Sequence, residues 1–318
     1  MTNAFAPEGA LFGTRENREY ISSRQGLERA MREGKILEAT AMLCDGRMRL
    51  HVDLYGTVGI IDRSEAMLCA DDATVKDIAV ITRVGKPVCF KVMGFVREDG
   101  REVAILSRRE AQKECYLSYL SDLIAGDIVP ARVTHLDTFG AFVDIGCGVV
   151  ALLCIDCISV SRISHPSDRL CVGDSIFVVI KSIDREMGRI FVSMRELLGT
   201  WEQNASELEI GQTVAGVIRS IESYGVFVEL APNLAGLAEI REGTRGAEIP
   251  RVGESAAVYI KSIIPDKMKI KLVLIDSYRM PIREKEMRYF VDCKEVGHID
   301  RWRYSPSGAS KVIETVFC

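Results

Sequence analysis

The stretch Gly126-Asp-Ile-Val-Pro-Ala-Arg-Val133, continued by Phe139-Gly-Ala-Phe-Val-Asp-Ile-Gly146, Val172-Gly-Asp174, Val179-Ile-Lys-Ser-Ile-Asp184 and Gly188-Arg-Ile-Phe-Val-Ser-Met194, decides the architecture because the chain repeats it. A second copy runs from Gly211-Gln-Thr-Val-Ala-Gly-Val217 through Tyr224-Gly-Val-Phe-Val-Glu-Leu230 and Val252-Gly-Glu254 to Tyr259-Ile-Lys-Ser-Ile-Ile264. A more diverged copy lies upstream, in Gly34, Leu50-His-Val-Asp-Leu-Tyr-Gly56, Gly59-Ile-Ile61, Val84-Gly-Lys86 and Ile105-Leu-Ser107. The opening glycines Gly34, Gly126 and Gly211 stand 92 and 85 residues apart, so each unit is a small domain plus a linker.

Within the 126–196 unit the apolar residues alternate with a period near two and are rich in Val, Ile and Phe, which is the pattern of strands. Strands are expected at about 127–137, 140–145, 149–154, 174–184 and 188–194. Five short strands leave exposed edges as an open sheet, and closing them into a barrel removes those edges. The expected fold is mainly β: tandem five-stranded OB-fold barrels joined by short helical linkers, with a small C-terminal β-rich extension. The boundaries are a tail and short helix over 1–33, a diverged barrel over 34–107, barrels over 126–196 and 210–275, and the extension over 276–318. The linkers read as helices, one from Arg108 with Tyr116, Leu120 and Leu123 on a single stripe, the other over Arg195 to Leu208. Two or three strands are expected in the extension, among Met287–Val291, Ile299–Tyr304 and Lys311–Phe317.

Composition narrows the function. The 318 residues are 47% hydrophobic and 27% charged, as in a soluble globular protein of two to four domains. The longest apolar runs fall far short of the roughly 20 residues that cross a bilayer, so no membrane role is expected and the chain is placed in the cytoplasm. Net charge is −4, and the central and last units carry −2 and +1, so nucleic-acid binding by bulk positive charge is excluded. Any such binding must use local cations and stacking rings. The ten cysteines include one C-x-x-C pair, Cys154 and Cys157, without the second close pair of a zinc ribbon, so no metal and no cofactor is expected. Gly146-Cys-Gly-Val-Val-Ala151 fits a dinucleotide fingerprint, but a β-like run follows where the helix should start.

The run G-x-x-V-x-x-x-V…F-G-A-F-V-D-I-G…V-G-D…I-K-S-I-D…G-R-I-x-V-S-M resembles the S1 RNA-binding domain, the repeat of the small-subunit ribosomal protein of that name. The resemblance covers roughly residues 34–275. It implies a binding face with two aromatics on the second strand, a histidine on the third, and an acidic and a basic residue near the fifth. In the central unit these positions match Phe139, Phe142, Asp184 and Arg189, with Cys154 in place of the histidine. The last unit offers Tyr224, Phe227 and Lys269, with Glu239 at the histidine position, where a carboxylate would repel phosphate. Met48 and His51 occupy the aromatic positions of the first unit, which implies protein contacts in place of RNA.

Residue chemistry supports these roles independently. Exposed rings stack on any base at about 1–3 kcal/mol per base. Lys181 and Lys261, in a shared I-K-S-I context, and Arg189 can meet backbone phosphates. The expected function is therefore binding of single-stranded RNA (mRNA) in translation with the small ribosomal subunit, contacted through the first barrel. The alternative is a non-ribosomal post-transcriptional regulator built from the same repeats. An enzyme is not expected, because no segment outside the repeats is long enough for a catalytic domain.

Overall fold

The computed structural model describes residues 5–54, 56–69, 75–239, 250–278 and 287–317. Two helices come first, α1 (Arg15–Ile21) and α2 (Arg24–Glu33), each started by a hydroxyl cap, Thr14 on the N–H of Asn17 and Ser23 on that of Gly26. The strands that follow are β1 (Leu37–Cys44), β2 (Leu50–Asp53), β3 (Val58–Ile61), β4 (Pro87–Glu98) and β5 (Arg101–Ser107), with a short helix α3 (Asp77–Ile81) before β4. They close in the order β1-β2-β3-β5-β4, with β3 and β5 parallel.

The second barrel contains β6 (Ile128–Asp137), β7 (Gly140–Gly146), β8 (Val149–Cys154), β9 (Ser175–Asp184) and β10 (Arg189–Ser193), where the alternating pattern places strands. The third is built from β11 (Thr213–Glu222), β12 (Gly225–Ala231), β13 (Leu234–Glu239), β14 (Ser255–Ile264) and β15 (Lys269–Tyr278). Each has the first barrel's connectivity, including a parallel pair between its third and fifth strands. Alternation along β7 explains the closure: Ala141, Val143 and Ile145 enter the core while Phe142 stays outside it.

Two sequence expectations, both on the linkers, need correction, and the C-terminal segment needs a more exact description. Helix α4 (Arg108–Ser118) forms, but its buried face is Arg108, Ala111, Gln112 and Cys115; Leu120 and Leu123 are buried beyond its end. The helix has turned to serve an ionic contact between barrels. The second linker is a 3-10 turn, Arg195–Leu198, a break at Gly199 (φ 85°), and a short helix α5 (Trp201–Ala205) started by a Thr200–Gln203 capping box. A single helix over Arg195 to Leu208 cannot pass that glycine. In the C-terminal segment two of the three runs contain strands among the described residues, β16 (Arg301–Arg303) and β17 (Glu314–Val316), which pair, while 287–291 form none. These residues spend their side chains on the barrels: Trp302 and Tyr304 join the third core, and the Tyr289 hydroxyl accepts the N–H of Phe177 at 3.0 Å.

The barrels are packed against one another. Glu8 accepts two bonds from the buried Arg108 (2.6 and 3.0 Å) and one from the Cys89 N–H (3.0 Å), while its own N–H donates to Asp144 at 2.7 Å. One acidic residue thereby ties the N-terminal segment to β4, α4 and β7. Burial and the neighbouring Glu8 push the Asp144 carboxyl up to about 7. Burial raises the Glu8 carboxyl too, but the Arg108 guanidinium outweighs it and holds Glu8 below its ordinary value. Between the second and third barrels, buried Glu229 receives Arg169 at 2.5 Å and Arg219 at 2.7 Å. Asn233 accepts the Val160 N–H at 2.9 Å and donates to the carbonyls of Arg195 and Gly199.

Candidate nucleic-acid interface

Strand register makes the three barrels comparable position by position. Each first strand has a bulge, after which Leu43, His135 or Ser220 faces His51, Phe142 or Phe227 on the second strand. A second bulge, in the fourth strand, throws out Met93, Lys181 or Lys261. Such bulges re-aim a side chain out of the regular pleat.

In the central barrel Phe139 is 49% exposed and stands edge-on to the half-buried Phe142, with centroids 5.9 Å apart and planes at 89°. The His135 ring stacks on Phe142 at 6.1 Å. Gly140 is required between the two phenylalanines, because a Cβ there would lie 2.4 Å from the Leu153 carbonyl of β8. The close approach of β7 to β8 leaves both rings on one outer face. Phe191, across the parallel pair from Leu152, lies on the same side as exposed Arg189, two residues earlier. Asp184 faces Arg189 in register, and its carboxylate accepts the Met187 N–H at 2.9 Å, shaping the hairpin turn.

Lys181 reaches inward, its Nζ 3.2 Å from the buried Cys157 Sγ. Partial burial opposes its charge, but contacts with Cys157 and Asp156 outweigh this and hold the ammonium above its ordinary value. Burial pushes the Cys154 and Cys157 thiols up, so both are neutral at physiological pH. Among the described residues no cluster of His, Cys, Asp or Glu has the arrangement of a metal site.

The third barrel repeats the shelf with a different charge pattern. Tyr224 is 64% exposed and edge-on to Phe227, at 6.2 Å and 88°. Lys269 and Lys271 occupy the positions of Arg189 and Phe191, and all are exposed except Phe191. Lys261 pairs with Glu239 at 3.1 Å, both about half exposed (52% and 51%). The carboxylate is thus neutralised within its own face, which removes much of the repulsion expected from the sequence.

Among its described residues the first barrel has no such shelf. His51 is bound to Asp45 at 3.1 Å, and Arg49 bridges Asp45 (2.9 Å) and Glu98 (3.1 Å). Met48 sits in the connecting turn at φ 59°. Partial desolvation would raise the Asp45 carboxyl, but the Arg49 N–H, the His51 ring and the Arg49 guanidinium hold it well below the usual range. Exposed Met93 and Val96 stand where the central barrel has Lys181 and Asp184.

Sequence reasoning left His135, Phe191 and Lys271 out of the site. The signal was the period of two: Arg189 implies Phe191 on its own side, and Lys269 implies Lys271. His135 reads from the sequence as a partly exposed structural histidine able to touch RNA, and the bulge after Val133 is what brings it opposite Phe142.

Comparison with known proteins identifies the repeat. Residues 122–195 match the family model described as the S1 RNA binding domain. The chain is 27% identical to the small ribosomal subunit protein bS1 of Rhizobium meliloti (strain 1021) over 72% of its own length and 41% of that protein. It is 30% identical to the bS1 of Leuconostoc lactis over 57% of its length and 44% of that protein, so it spans less than half of these two relatives. Against the bS1 of Staphylococcus aureus (strain COL) the identity is 30%, over 83% of this chain and 67% of the relative. Three barrels of one connectivity, two with matching aromatic shelves, and this match over two thirds of a relative's length place the chain in the family of the small ribosomal subunit protein bS1.

Proposed function

We propose that the chain binds single-stranded RNA on the outer faces of its second and third barrels and acts in translation with the small ribosomal subunit. The observation that carries this is the pair of edge-on aromatic shelves, Phe139–Phe142 and Tyr224–Phe227, at one register position with cations alongside. A base can lie flat on the exposed ring while the second ring holds the first upright. Arg189 and Lys269, joined by Lys271, supply phosphate contacts, Lys181 and Lys261 stand beside the rings with their ammonium groups held by Cys157 and Glu239, and Asp184 shapes the turn that presents Arg189. The first barrel, with Met93 and Val96 in place of Lys181 and Asp184, is assigned to protein contact with the subunit. The names of the relatives support the ribosomal part of this reading.

Fluorescence anisotropy with an unstructured oligonucleotide tests it. Phe139→Ala with Phe142→Ala should weaken binding tenfold or more, on the basis of about 1–3 kcal/mol per stacked base. Met48→Ala with His51→Ala should leave it within about twofold, having no base to release. Equal losses would defeat the assignment. Co-sedimentation at low salt tests the ribosomal part, and absence from small subunits would favour the regulator.

A further inference from the structure

We propose that the third barrel selects guanine, through the ion pair of Glu239 and Lys261 acting as a reader of the base edge. This rests on the stacking function proposed above and adds a specificity to it. Three observations place the pair there. Continuing the β12–β13 register, in which Phe227 faces Leu237 and Val226 faces Ala238, puts Glu239 opposite Gly225, next to Tyr224 and on the side of Phe227. Lys261 is the bulged residue of β14, and its Nζ lies 3.1 Å from Oε2 of Glu239. Oε1 of Glu239 makes no hydrogen bond among the described residues.

The two side chains therefore present a row of three groups beside the stacking ring: a donor (Nζ), an acceptor (Oε2) and a second acceptor (Oε1). Guanine carries the complement on its Watson–Crick edge, with O6 accepting and N1–H and N2–H donating. The other bases fall short. Uracil matches O4 and N3–H, but then turns its O2 against Oε1. Cytosine offers one donor beside two acceptors and adenine one donor beside one acceptor, and neither has a second donor for the remaining carboxylate oxygen. Unstacked bases are commonly recognised on this edge. The pair also explains why a carboxylate is tolerated on a face that meets phosphates: Lys261 neutralises it, while Lys269 and Lys271 remain for the backbone. The central barrel lacks the device, since Cys154 supplies no charged acceptor and Lys181 is turned to Cys157.

The test uses the full chain carrying Phe139→Ala and Phe142→Ala, which confines stacking to the third barrel. Fluorescein-labelled ten-nucleotide oligouridylate is compared with the same strand bearing one central guanosine, and with one bearing inosine, which lacks the N2 donor. Guanosine should tighten binding about fivefold or more, in keeping with the discrimination of a two-point base contact at a half-exposed site, and inosine should fall between. Adding Glu239→Gln, which exchanges an acceptor for a donor, should abolish the guanosine gain, so that the guanosine strand and oligouridylate bind that variant equally. Equal binding of the three strands, with oligouridylate binding still lost on Tyr224→Ala, would overturn the guanine assignment and leave the stacking function standing. A guanosine gain that survives Glu239→Gln would overturn it as well. Failure of the wild-type chain to bind any of the strands would overturn both.

Discussion

Stacking and charge are separable in this protein, because the central barrel concentrates rings and the third concentrates lysines. Consider Lys269→Gln with Lys271→Gln, set against Phe139→Ala with Phe142→Ala. Each lysine that meets a phosphate contributes about 0.7 to the slope of log affinity against log salt on a single strand, so losing two lowers the slope by about 1.4. Between about 50 mM and about 200 mM salt the lysine variant should therefore lose about sevenfold less affinity than the wild type. Removing the rings releases stacked bases, which carry no counterions, and should shift the whole line down by about 1–3 kcal/mol per base without changing its slope. Anisotropy titrations at four or five salt concentrations give both quantities from one data set. A ring variant that flattens the slope as much as the lysine variant does, or a lysine variant with the wild-type slope, would refute the division of labour between the two faces.

Three further outcomes follow from the packing. Gly140→Val places side-chain atoms against the Leu153 carbonyl and should cost about 1–3 kcal/mol in thermal unfolding, in the range of overpacked sites, while weakening RNA binding; an unchanged midpoint would contradict the close approach of β7 and β8. Glu38 is buried, with its carboxyl pushed up to about 7 by desolvation and by Glu8, against the N–H groups of Gly9, Phe12 and Leu11. The folded chain therefore holds a proton there that the unfolded chain releases near its ordinary pKa. Stability should fall as pH rises from about 4.5 to about 7 and level off above, by at most about 3 kcal/mol from this group. Asp144, also raised to about 7, adds to the fall, and Glu8, lowered, opposes it only at more acid pH. Glu38→Gln should reduce that slope in denaturant titrations, and an unchanged slope would sink the assignment. Finally, Glu229→Ala strands Arg169 and Arg219 without their shared buried acceptor and should cost about 3–5 kcal/mol at the junction of the second and third barrels. An early unfolding transition or new proteolysis at the junction is the expected sign, and wild-type resistance would count against it.

Strands and barrels were legible in the sequence because the period of two acts locally: Ala141, Val143 and Ile145 must share a side whatever surrounds them. The aromatic positions were legible through the repeat and through the glycines beside them. What could not be read were features set by distant partners. Arg108 looks like the start of a solvent-exposed helix until Glu8, a hundred positions away, is brought against it. The C-terminal alternation pointed to strands, and β16 forms, but that Trp302 and Tyr304 join the third core depends on a partner the local pattern does not name. Lys181 and Lys261 share one local context, and their neighbours from distant sequence, Cys157 and Glu239, give them different surroundings.

The docking of Tyr304 has a consequence for how the chain matures. Its hydroxyl donates to the Asn233 carbonyl at 2.5 Å, while the amide of Asn233 holds the linker leading into the third barrel. A ribosome synthesising this chain delivers Tyr278, the last residue of β15, well before Tyr304. For that interval the newborn third cylinder has all its strands but neither Trp302 nor Tyr304 to seal it. The final step of its assembly must therefore wait for sequence lying beyond the repeat itself, and the apolar surface those two rings cover stays bare in the meantime.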